Sequence, residues 1–402
     1  TAMSFPACKH AKKKNRFTAL LLWLGSEPYR LFFLSGILFS IAGVMMWPLF
    51  YQGKLPFYPG ISHAHVMIQS FGGAFVIGFL GTAGPRILGA QRLTPFELVP
   101  LFALHVMGGL CHLHGFTAWG DWLFLGTLGV FVIALALRFF FRKSLPPPPL
   151  LLAATGLLCG LAGTAIWCCP SLMRSPELNR LAALLLYQGF LLGPVMGVGI
   201  FLFPRLLGNS FGEPLPGAET RRSWRDMIIS AIALVASFPV EIWANETAGL
   251  LLRAVAFAFA ISHVRWIGKK GSSKIGTLAN ALRLWCVPLA TAGLVAPAFL
   301  YARHIALGHL LFIGGFGLVC LIAGSRVIFG HSGPVERFSE KSWIARVIVF
   351  SAVLAALTRA SADFIPKVML THYHYAAWSW AFACGLWAIW HARRFFKKDD
   401  CD

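Results

Sequence analysis

Residues Ser62–Pro85 read SHAHVMIQSFGGAFVIGFLGTAGP, and the next residue is Arg86. Two histidines open the stretch, Gln69 lies further in, and the rest is apolar or small until the arginine. About 20 such residues cross roughly 30 Å of hydrocarbon as a helix. The run is continuous rather than alternating, which excludes the strands of a membrane β-barrel. Runs of this kind recur along the chain, giving expected spans at 31–51, 62–85, 95–114, 118–138, 149–169, 181–204, 226–243, 247–265, 279–300, 304–325, 344–362 and 373–392. The expected fold is an all-α membrane protein of twelve transmembrane helices. The joining loops are too short to house a soluble domain.

Composition agrees. Of 402 residues 57% are hydrophobic and 12% charged, and the mean hydropathy is +0.69. A soluble domain carries roughly a quarter charged residues. Lysine and arginine number 35 against 15 acids, a formal charge of +20. In a soluble protein that excess would suggest nucleic acid. Sorted by the expected spans, with both termini inside, 28 basic residues fall on the inner side and six on the outer, with Arg253 inside a span. Such sidedness follows the positive-inside rule. The excess is therefore topological, the expected partner is the lipid bilayer, and no nucleic-acid partner is implied. The nine cysteines are odd in number and lie mostly within spans, so they do not form a secreted disulfide framework. No phosphate loop, hydrolase triad or catalytic carboxylate pair is present.

Three expected spans close alike, with Pro85-Arg86, Pro204-Arg205 and Ser325-Arg326, the arginines 119 and 121 residues apart. Seventeen residues before each arginine stand Gln69, Gln188 and His309. This periodicity predicts three parallel four-helix repeats in a pseudo-threefold arrangement. The expected division is a basic cytoplasmic segment at 1–30, repeats at 31–143, 144–265 and 266–392, and a cytoplasmic tail at 393–402.

Nine of the 13 histidines fall in the outer half or near the midplane. Ionisable groups inside a membrane are costly and point to function, and imidazole is the commonest metal ligand. The candidate metal ligands are His63, His65, His105, His112, His114 and His309. His63 and His65 lie about 200° apart on a helix, so they cannot face one site, whereas His105 and His112 share a face. Haem takes axial imidazoles from opposed helices, which nominates His63 and His309, with His65 and His304 as alternates. For His114, His372 and His374 a headgroup anchor is the competing reading. Cys111-His112-Leu113-His114 places soft and borderline donors suited to copper close together, and Cys168-Cys169 suits a vicinal disulfide or a copper ligand; helix packing is the alternative for both. Arg303 and Arg359 are outer cations that suit haem propionates, although Arg359 also stands four residues before Asp363.

At these residues the sequence resembles the NnrS family of bacterial multi-pass membrane proteins, described as haem- and copper-containing and linked to nitric oxide metabolism. The likeness is carried by Ser62-His63-Ala64-His65-Val66-Met67 with Gly72-Gly73 in the second expected span. In the tenth it is carried by His309 with Gly314-Gly315, then Arg326 and Gly330-His331-Ser332-Gly333. The family's acidic residue and tryptophan in the first motif are replaced by Val66 and Ser62. The resemblance implies haem b (one or two), copper as a further cofactor, a location in the bacterial inner membrane, and nitric oxide or another diatomic as ligand. It also implies a respiratory electron donor or complex as partner. A membrane transporter and a haem-bearing subunit of a larger respiratory complex are the competing functions. A more distant likeness is to the catalytic subunit of haem-copper oxidases, whose second helix is similar to His63-Ala64-His65-Val66-Met67-Ile68. The sixth and seventh expected spans lack the histidines that family uses at its oxygen site, so oxygen reduction is not expected.

Overall fold

The structure is a computed structural model and describes residues 27–207, 217–264, 275–333, 338, 340–395 and 397. The first 26 residues, Arg265, Lys269, Lys270, Lys274, Arg337 and most of the expected tail lie outside the described residues, as does the side chain of Arg205. Among the described residues, ten helices are long and apolar enough to cross a membrane. They are α1 Pro28–Tyr51, α2 Gly60–Ile87, α3 Pro95–Leu113, α4 Thr117–Phe140, α5 Leu150–Trp167, α6 Pro176–Pro204, α7 Thr220–Ala244, α9 Thr277–Phe299, α10 Tyr301–His331 and α11 Trp343–Ala362. Two further helices correspond to the remaining expected spans. These are α8 Glu246–Ser262, of 17 residues, and α12 Met369–Phe395, of 27. No strand occurs among the described residues.

Local chemistry sets the helix starts. Pro28, Pro95 and Pro176 occupy first-turn positions, where the missing N–H is no loss. Thr94 and Glu97 form a reciprocal capping box at α3. Asn245 and Ser342 accept from backbone N–H groups at the starts of α8 and α11.

Each helix packs on its neighbour in sequence, and α12 returns to pack on α1, closing the ring. Three helices are the most buried of the ten: the most apolar window is 78% buried in α2, 67% in α6 and 61% in α10. Close approach depends on small residues, as membrane helices require. At the α5–α6 crossing a Cβ on Gly193 would sit 2.6 Å from the Cα of Gly156. The same three inner helices each contain a π-helical segment, at Val66–Gly72, Leu185–Gly189 and Leu310–Gly317. A π turn inserts a residue into the i→i−4 ladder and re-aims the side chains beside it, and such turns are frequent at functional sites. Here they begin directly after His65, contain Gln188, and begin directly after His309.

One end of the bundle is tied by ion pairs. Glu27, almost fully buried, meets Arg86 at 2.5 Å and Arg92 at 3.1 Å. Arg138 forks onto Glu97 at 2.6 and 2.7 Å. The histidine-rich clusters sit at the other end.

Candidate functional site

Gly115 makes the first cluster possible. It follows α3 with φ +81, a conformation glycine adopts without a Cβ penalty. The resulting tight reversal brings His112, near the end of α3, against Asp121 in the second turn of α4. From α2, His65 and Gln69 reach the same place. The Gln69 amide donates to Asp121 Oδ1 at 2.6 Å, and its Oε1 lies 2.9 Å from His112 Nε2. His65 Nδ1 lies 2.9 Å from Asp121 Oδ1, and His112 Nε2 lies 4.0 Å from it. All four side chains are buried. Trp167 of α5 stacks on the His65 ring at 4.7 Å, and Tyr187 of α6 approaches its edge at 6.2 Å. His112, which is 0% exposed, fits only because residue 120 is glycine: a Cβ there would meet His112 Cε1 at 2.3 Å. One donor from each of His65, His112 and Asp121 falls within 4.8 Å of the others.

The short His65–Asp121 contact is not a hydrogen bond. Proximity places the oxygen 2.9 Å from the ring nitrogen, yet Nδ1 has no partner in hydrogen-bonding geometry. Direction matters more than distance for such a bond. The two atoms lie close without one donating to the other.

His63, two residues before His65, points the opposite way. Its Nδ1 lies 2.9 Å from the carbonyl oxygen of Gly43 on α1, and Trp47 packs at 6.0 Å from its ring. His309, on α10 at the position that the repeat equates with Gln69, ties its Nδ1 to Ile305 O at 2.7 Å. In both residues Nδ1 is committed to a backbone carbonyl, and no hydrogen bond to Nε2 occurs among the described residues. Arg359 pairs with Asp363 at 3.2 Å and lies over the Tyr373 ring at 4.5 Å, while the Tyr373 hydroxyl donates to the same carboxylate at 2.7 Å. The i,i+4 alternative for Arg359 is therefore present in the structure.

A third polar cluster joins α6, α7 and α8. Arg253, 0% exposed, meets Glu241 at 2.5 Å and donates to Gln188 at 2.7 Å and Ser237 at 3.2 Å. Arg180 reaches Glu241 at 3.1 Å and Glu246 at 2.9 Å, and also donates to the Tyr301 hydroxyl. Gln188 thus holds an arginine, as Gln69 holds an aspartate.

The other candidates stand apart. His304 is exposed and stacks on Tyr301 at 4.9 Å, beside the third cluster and not beside His63. Arg303 lies 5.8 Å from the Phe364 ring. His105 is buried between Phe32 and Phe39, with ring centroids 5.2 and 5.7 Å away, and its Nε2 has no partner. His114 is exposed, its Nδ1 on Leu110 O at 2.9 Å. The Cys111–His114 run is thereby split, with only His112 entering a cluster. Cys168 and Cys169 are free thiols. The Ser171 hydroxyl, 3.1 Å away, and the Leu172 backbone hold the Cys169 thiol below its ordinary pKa.

Sequence reasoning passed over Asp121. The signal was available: it is the one acid in the apolar run 118–138, where an uncompensated carboxylate is costly.

Apolar helices long enough to span a bilayer, with buried polar clusters at one end, define a multi-pass membrane protein. The family model for the NnrS protein matches residues 23–398, nearly the whole chain, and the chain belongs to the NnrS family. Compared with individually curated proteins, it has no significant match.

Proposed function

We propose that this protein is an integral-membrane haem protein that binds nitric oxide or a related diatomic, or passes electrons in nitrogen-oxide metabolism. The observation that carries this reading is the matched state of His63 and His309. An imidazole whose Nδ1–H is held by a carbonyl is fixed in one tautomer and presents Nε2 as a metal ligand. Two such rings stand on α2 and α10. They suit the two axial positions of one haem b, which when bound would supply reversible one-electron or diatomic-ligand chemistry. The chain's own part is to orient the rings through Gly43 and Ile305. Arg359 keeps a cation nearby, braced by Asp363 and Tyr373, for a propionate.

The finer topology belongs to the same proposal. We read α8 and α12 as the remaining two of twelve spans, in three parallel four-helix repeats. Two features support this: α2, α6 and α10 are the most buried of the ten candidate spans, and α12 closes onto α1. With the basic end facing the cytoplasm, the location is the bacterial inner membrane, both termini are cytoplasmic, and the histidine clusters face outward.

The test is the absorption spectrum of the purified full-length chain. A Soret band that shifts with nitric oxide is expected, lost in both His63→Ala and His309→Ala. Purified protein without haem, or either variant with an unchanged spectrum, would overturn the assignment.

A further inference from the structure

We infer that His65, His112 and Asp121 form a second, separate metal site for a divalent first-row transition ion. The site has no donor in common with the His63–His309 pair, and the inference does not rest on the haem reading. It starts from an unpaid desolvation. His65 is 3% exposed, and its Nδ1 has no hydrogen-bond partner although a carboxylate oxygen lies 2.9 Å away. A buried polar atom without a partner calls for an explanation, an ion being one. Here the ring nitrogen and the carboxylate oxygen lie close with no hydrogen bond between them, and a donor atom of His112 lies within 4.8 Å of both residues' donors.

The spacing fits an ion. Donors at about 2.1 Å in tetrahedral array stand about 3.4 Å apart. The three donors here lie within 4.8 Å of one another, with Asp121 Oδ1 at 2.9 Å from His65 and 4.0 Å from His112. Two imidazoles and one carboxylate are borderline ligands that suit iron(II), copper(II) or zinc, and three donors leave a coordination position open. Outer contacts that fix the ligands are already in place, as metal sites require. Gln69 donates to Asp121, Trp167 holds the His65 ring flat, and the bare Cα of Gly120 seats His112.

Charge also balances. A lone carboxylate that is 8% exposed is expensive in a membrane interior. A divalent cation on Asp121 neutralises it, as Arg253 neutralises Glu241 in the third cluster. Binding through Nε2 would require His112 to carry its one proton on Nδ1, the ring nitrogen that has no hydrogen-bond partner.

The experiment counts metals in the purified full-length protein by mass spectrometry, with haem counted separately by pyridine haemochrome. About one non-haem metal per chain is expected, or uptake of one added cobalt(II) with visible ligand-field bands. That metal should persist in His63→Ala, which loses the Soret band. It should fall at least tenfold in His112→Ala and Asp121→Asn while the spectrum and elution volume stay those of the unaltered protein. Metal content unchanged in both variants would overturn the site. So would a chain that carries no non-haem metal and takes up no cobalt(II).

Discussion

Gly120→Ala is the most discriminating single perturbation, because it adds one methyl group and removes no donor. The new Cβ would stand 2.3, 2.5 and 2.6 Å from Cε1, Nδ1 and Nε2 of His112, where ordinary contact begins near 3.4 Å. The ring has to retreat by about 1 Å, and it is 0% exposed, so neighbours must move too. A displacement of that size stretches the 2.9 Å contact between His112 Nε2 and Gln69 beyond hydrogen-bonding range. Overpacking costs about 1–3 kcal/mol, and a buried bond left unmade costs a further ~1–3 kcal/mol. Together these come to about 2–6 kcal/mol, and with an unfolding entropy of about 2 cal/mol/K per residue the midpoint in detergent should fall by about 2–7 °C. Gly126→Ala on the same helix is the control, since a Cβ there meets nothing within 4 Å. Thermal melts followed by cysteine-reactive fluorescence, with metal counts on the same samples, separate the two. The reasoning fails if Gly120→Ala melts with Gly126→Ala and keeps the same non-haem metal content.

Two further outcomes follow from the other clusters. Glu241→Ala leaves the fully buried Arg253 with only Gln188 and Ser237 as hydrogen-bond partners, and breaking a buried pair costs about 3–5 kcal/mol; the melt should drop clearly below that of Gly126→Ala. The double variant Glu241→Leu with Arg253→Met should recover most of the loss, and a single variant that melts like the unaltered protein would refute the pairing. Cys169 lies between α5 and α6 at the histidine end, and its thiol pKa is lowered. A lowered pKa means more thiolate at a given pH, so its labelling by a membrane-impermeant maleimide should rise at lower pH than for an ordinary thiol. Labelling is expected in spheroplasts; access only after membrane rupture would invert the proposed orientation.

The helices were legible in the sequence because a membrane imposes one requirement on every span, a long apolar run. α3 was readable almost to the residue, expected at 95–114 and found at Pro95–Leu113, whereas α10 runs six residues past its expected end. α8 was less sharp, since Glu246 and Arg253 interrupt it and it is only 17 residues long. Periodicity also separated His63 from His65: about 200° of rotation puts them in different clusters, and their contacts lie on α1 and α4 respectively. Asp121 was invisible to a search built on histidine, because its importance comes from the turn at Gly115 and not from its neighbours in sequence. The third cluster escaped for a related reason. Gln188, Glu241 and Arg253 are distant along the chain, and only the packing of α6, α7 and α8 makes them one network. No local residue pattern announced the π segments; three of them lie at or beside the polar positions that the repeat singled out, and two, at Val240–Ala244 and Leu282–Cys286, do not.

α2 is the element on which both site proposals depend. It is the most buried of the ten candidate spans and forms a wall of two clusters at once, with His63 turned to α1 and His65 to α3 and α4. Two residues of spacing suffice for this because one helical turn takes 3.6. Gln69, four residues on from His65, shares its face of the helix and reaches the same cluster. A chain that needed one site could have used one histidine here. The pair, each member with its own set of contacts, gives the two clusters a shared rigid support while their ligating atoms remain separate. Loss of one metal without the other, read from the Soret band against the metal count, is therefore the behaviour this architecture requires.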